Sequence, residues 1–76
     1  MMQKSWNTID DMPLSAQIVY QILQKGEKLN AGDLEYQTHY SPRMVRYALR
    51  YLIDANLIIQ LIDINDTRRR SYILNG

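Results

Sequence analysis

The stretch Ser41-Pro42-Arg43-Met44-Val45-Arg46-Tyr47-Ala48-Leu49-Arg50-Tyr51 decides how the rest of the chain is read. It opens with a helix-start signal: a serine hydroxyl can accept from a free backbone N–H, and proline suits the first helical turn. Beyond it, Val45, Ala48, Leu49, Leu52 and Ile53 recur at helical spacing, which predicts a helix over 41–55 with one apolar stripe. With Val45 at the origin, Arg46, Arg50, Arg43 and Tyr47 fall at about 100°, 140°, 160° and 200°. Three guanidinium groups and a phenol then share an arc of roughly 100°. Like charges held that close repel, so the arc is no stability device. Met44 falls at its edge.

Upstream, Asn30 with Asp33 three residues later resembles a capping box, and it starts a second helix ending near Thr38 or His39. Leu34 is its core residue, and Tyr40 packs inward before Ser41. A gap of about three or four residues between two helices is the length of a helix-turn-helix turn. Earlier still, Ser15 is read as the cap of a first helix running to about Lys25, with Gly26 as its stop. Ala16, Val19, Ile22 and Leu23 form its buried stripe, with Ile18 and Tyr20 flanking. Lys28-Leu29 is a short extended link. Residues 1–13 read as an N-terminal arm, either frayed or anchored through Trp6 onto this domain or a second copy. Residues 14–76 are the domain.

Downstream, Asn56 can take the left-handed stop position after the third helix. The run 57–64 is dense in β-branched residues, 65–70 is polar and turn-prone, and 71–74 reads as the returning strand. The tip then carries Arg68, Arg69 and Arg70, which cannot all face one way. The first strand is apolar on both faces: Leu57, Ile59 and Leu61 against Ile58, Ile62 and Ile64. One small core cannot cover both, so a homodimer is expected, with the arm as the other possible cover.

Bulk properties narrow the class. Seventy-six residues make one domain, and the absence of cysteine excludes disulfides and thiolate metal sites. No apolar run approaches the roughly 20 residues that span a bilayer, so a cytoplasmic, nucleoid-associated protein with no membrane partner is expected. The net charge of +1 divides unevenly. Residues 1–40 carry −2 and every lysine, whereas 41–76 carry +3 and every arginine. Arginine meets phosphate and guanine edges bidentately, which lysine cannot do. His39 has no ligand-spaced companions, and there is no nucleophile–histidine arrangement, glycine-rich phosphate loop or obvious pair of catalytic carboxylates. No cofactor, metal or enzymatic activity is expected.

The order helix, helix, helix, hairpin, with Ser-Pro-Arg-Met-Val-Arg-Tyr-Ala-Leu at 41–49, resembles the winged helix-turn-helix DNA-binding proteins. The nearest likeness is to small archaeal and bacterial transcription regulators of the MarR and ArsR type. It rests on the Asn30–Leu34 helix start, the turn at 40–43, Ala55-Asn56-Leu57-Ile58 and the run Asp66-Thr67-Arg68-Arg69-Arg70 before Tyr72 and Leu74. It covers about 14–74. His39 and Asn56 stand where such proteins often carry glycine. The long flanking helices used there for dimerisation and effector binding are not found in this sequence, so no small-molecule effector is expected.

The resemblance implies an α+β, mainly α, winged helix-turn-helix domain with a short strand before the second helix. It also implies double-stranded DNA as partner. The third helix would enter the major groove, with the 65–70 wing on the backbone or minor groove. Arg43 and Tyr47 are expected at base edges, Arg46 and Arg50 at phosphates or bases, Ser41 near a phosphate, and Arg68, Arg69 and Arg70 along the wing. Two other readings stand beside this one: a protein-interaction adaptor, and an architectural protein binding DNA with little sequence preference. Asp54, four residues after Arg50, suits a merely solvated face. Asp66 either orients an arginine or begins the turn.

Overall fold

The computed structural model of the protein describes residues 9–75. A 3-10 turn at Ile9–Asp11 precedes α1 (Leu14–Leu23), β1 (Leu29–Asn30), α2 (Ala31–Thr38), α3 (Pro42–Asp54), β2 (Ile58–Ile62) and β3 (Arg70–Leu74). The strands form one antiparallel sheet in the order β1-β3-β2. Trp6 and its proposed anchoring lie outside the described residues.

The start of α1 corrects the sequence reading. Ser15 is not its cap. Pro13 takes that place with ψ 151°, and its carbonyl accepts from the Ala16 and Gln17 N–H groups at 3.0 and 3.2 Å. Ser15 therefore falls inside the first turn, buried beside Ala16 and Val19. The helix also ends at Leu23, short of Lys25. There the Lys25 and Gly26 N–H groups bond back three residues, to the Ile22 and Leu23 carbonyls, and Gly26 leaves with φ 92°. Ile22 is only partly buried against the core.

The second helix starts as its sequence indicates. The Asn30 side chain accepts from the Asp33 N–H at 2.7 Å, and the Asp33 carboxylate accepts from the Asn30 N–H at 3.1 Å. A Cβ at Gly32 would sit 3.2 Å from the Asn30 capping oxygen, so glycine leaves that oxygen room. Asn30→Ala should cost about 1 kcal/mol of stability, read as a lower urea midpoint at unchanged slope. At the other end His39 adopts φ 63°, its N–H donating to the Glu35 carbonyl. The Thr38 hydroxyl donates to the Leu34 carbonyl and accepts from the Tyr40 N–H. Together these fix the turn that aims α3.

Ser41 caps α3 by accepting from the Met44 N–H at 3.2 Å, with Pro42 in the first turn. At the far end Asn56 takes φ 61°. Its N–H bonds the Ile53 carbonyl, and the Leu57 N–H bonds that of Leu52, the paired bonds of a Schellman stop. Val45, Ala48, Leu49 and Leu52 are buried against α1, α2 and the sheet, and Leu34, Ile58 and Tyr72 close the core. Met12 joins it at 4% exposure, its carbonyl accepting from the Gln17 amide.

The hairpin is shorter than its apolar run. Register Ile58↔Leu74 through Ile62↔Arg70 leaves Arg70 in β3 rather than at the tip. Two successive turns make that tip: the Asp66 N–H donates to Asp63, and the Arg69 N–H to Asp66. Ile58 enters the core, whereas Ile59, Leu61, Ile62 and Ile64 are exposed. The strand β2 is one of the two edges of the sheet.

Candidate nucleic-acid interface

The buried stripe of α3 forces its other side outward. Arg43, Arg46, Tyr47 and Arg50 line one shallow groove of about 250 Å³, so the arc inferred from helical spacing is a continuous surface. Tyr47 is braced by Tyr51, whose ring lies edge-on at 5.1 Å and 78°. Side-chain hydrogen bonding to Tyr51, followed by repulsion between the two phenolates, raises the Tyr47 phenol above its ordinary value. It stays neutral at physiological pH.

Arg50 and Asp54 approach to 4.0 Å, with side chains 79% and 67% exposed. A pair that open to water contributes little, so Asp54 does not remove Arg50 from the surface. Neither Arg43 nor Arg46 is ion-paired among the described residues. Ser41 commits its hydroxyl to Met44, which leaves the Arg43 N–H without a helical partner at the positive end of α3.

In the wing both aspartates shape the backbone. The Asp63 carboxylate accepts from the Asn65 N–H, and that of Asp66 accepts from the Arg68 N–H and Nε, the latter at 3.3 Å. Asp66 thus begins a turn and orients an arginine at once. The tip is basic: Arg68 and Arg69 are exposed, and Arg70 stands at its base.

Between α3 and the wing lies a cleft of about 840 Å³. Arg46 lines it together with Arg68, Arg69 and Arg70, so two constellations far apart in sequence meet in space. Arg43, Tyr47 and Arg50 stay in the α3 groove, and Arg46 belongs to both. The cleft adds Lys28, which the sequence reading left in a plain linker. Because Leu29 is buried and pairs with Tyr72, its neighbours Lys28 and Asn30 face the other way. The alternation Lys28-Leu29-Asn30 was the available signal. No group of three or more potential metal ligands occurs among the described residues.

Three helices, a short strand ahead of the second and a hairpin behind the third define a winged helix-turn-helix fold. It is similar to the adhesin competence repressor AdcR from Streptococcus pyogenes: TM-score 0.74 and 19% identity over 83% of this chain and 45% of that one. A MepR variant from S. aureus matches with TM-score 0.75 and 24% identity, over 86% and 49% of the two chains. Another S. aureus MepR variant, solved bound to an oligodeoxyribonucleotide, matches with TM-score 0.61 and 28% identity over 79% and 42%. The chain therefore spans about half the length of these proteins. The resemblance to MarR-type regulators extends to the fold. No family model matches the sequence, and neither does any curated protein. No helix among the described residues is long and apolar enough to cross a membrane.

Proposed function

We propose that the chain binds double-stranded DNA as a transcription regulator, with α3 in the major groove and the wing on the backbone or minor groove. One observation carries this reading: the arginine face of α3 and the basic wing form a single surface joined through Arg46. Arg43 and Tyr47 lie toward the start of α3 and read base edges, whereas Arg46, Arg50 and the wing arginines hold phosphates. The fold shared with an oligodeoxyribonucleotide-bound protein supports it. The chain acts as a binding protein rather than an enzyme.

It acts as a homodimer, a second copy covering the part of β2 outside the wing cleft, where Ile59 is exposed. The run 57–62 carries no charge that would repel its own copy. Light scattering that finds only monomer at high micromolar concentration contradicts this.

Selection from random duplexes at physiological salt tests the reading. The expected product is an enriched inverted repeat with half-sites about 34 Å apart. The exposed residues Ile62 and Ile64, at 50% and 92%, favour a second reading as a protein-interaction adaptor. No retention on any duplex, together with one stoichiometric protein partner, would establish the adaptor instead.

A further inference from the structure

We propose that the cleft between α3 and the wing seats the sugar–phosphate backbone of DNA, and that Lys28 is one of its contact residues. The proposal rests on the DNA-binding reading above and extends it to a part of the chain outside helix and wing.

Five cations line the cleft among the described residues: Lys28, Arg46, Arg68, Arg69 and Arg70. Arg68 is held by Asp66, and the other four are not ion-paired among the described residues. The one carboxylate lining it, Asp63, is engaged by the Asn65 N–H. Four unpaired cations around one hydrogen-bonded carboxylate call for an anion with several spaced charges. A nucleic-acid strand supplies one about every 3.4 Å. Arg46 belongs to this cleft and to the α3 groove alike, so a backbone leaving the major-groove face continues into it.

Lys28 is placed there by sheet pairing. Burial of Leu29 opposite Tyr72 turns the lysine outward beside the base of the wing. An ammonium on a flexible stem meets phosphate as a point charge and reads no base edge. Its contribution must therefore be the same on every duplex.

The test is duplex affinity of the full chain between 50 and 200 mM salt, on a preferred and an unrelated sequence. Lys28→Ala should reduce the log–log salt slope by about 0.9 and weaken binding about 8-fold at 0.1 M salt, equally on both duplexes. Lys28→Arg should retain both. Lys25→Ala, which removes an equal charge from an exposed site outside the cleft, should leave both unchanged. Circular dichroism of the exposed-site variants, with Lys28→Gln as a second neutral form, separates lost contact from lost fold. If the wild type binds DNA with a steep slope but Lys28→Ala matches it, or Lys25→Ala matches Lys28→Ala, the cleft assignment fails and the DNA reading stands. Failure of the wild type to bind any duplex removes both. Competition by millimolar inorganic phosphate beyond that of chloride at equal ionic strength would make the cleft a free-anion site and overturn the assignment.

Discussion

Arg43→Ala is expected to lower affinity for the preferred duplex roughly 5- to 150-fold, equivalent to about 1–3 kcal/mol, and to relax preference at one base position. The side chain sits in the first turn of α3, immediately after Pro42, without an ion pair among the described residues. It shares a groove with Tyr47 and stands apart from the wing cleft. A guanidinium so placed can meet guanine O6 and N7 together, and alanine removes both bonds. Arg69→Ala should behave differently. That side chain lines the cleft, so its loss should weaken related and unrelated duplexes alike. Titration of both variants against selected and scrambled duplexes at fixed salt distinguishes the roles. Uniform weakening by Arg43→Ala with altered preference from Arg69→Ala would reverse them.

Leu52→Ala should cost about 3 kcal/mol of folding stability. Leu52 is fully buried, and its carbonyl receives the Leu57 N–H that closes α3. Truncation leaves a cavity where α3 meets the core and the hairpin begins, and the element carrying the arginines loses support. For a domain this small the loss corresponds to about 15–20 °C in midpoint temperature. Met44→Ala, on the same helix but exposed, should stay within about 0.5 kcal/mol. Urea unfolding of both variants gives the comparison. A Leu52→Ala cost below about 1 kcal/mol would mean that this part of the core is loosely packed.

Features determined by near neighbours in sequence were legible there. The Asn30–Asp33 box, the Ser41 cap, the Asn56 stop and the α3 stripe each depend on residues within about one or two turns. What escaped was set by distant pairing. Ser15 has good capping chemistry, yet it is buried because the first helical face turns toward the core two residues after Pro13. Met12 sits among polar residues with no period, and only the packing of Ile9–Asp11 against α1 brings it inside. The arginine run 68–70 looks like one tip until the Ile62↔Arg70 register divides it. Lys28 belongs to the candidate surface only because β1 pairs with β3. The arginine arc on α3 was readable in full, since one helix carries all of it. Its connection to the wing was not, because it depends on how hairpin and helix pack.

The decisive measurement is the salt dependence of duplex binding by the unmodified chain. If α3 and the wing together contact about 4–6 phosphates, the observed association constant should fall with salt at a log–log slope near −4 to −5. Affinity that does not change between low and physiological salt would contradict a DNA-binding surface built from these arginines.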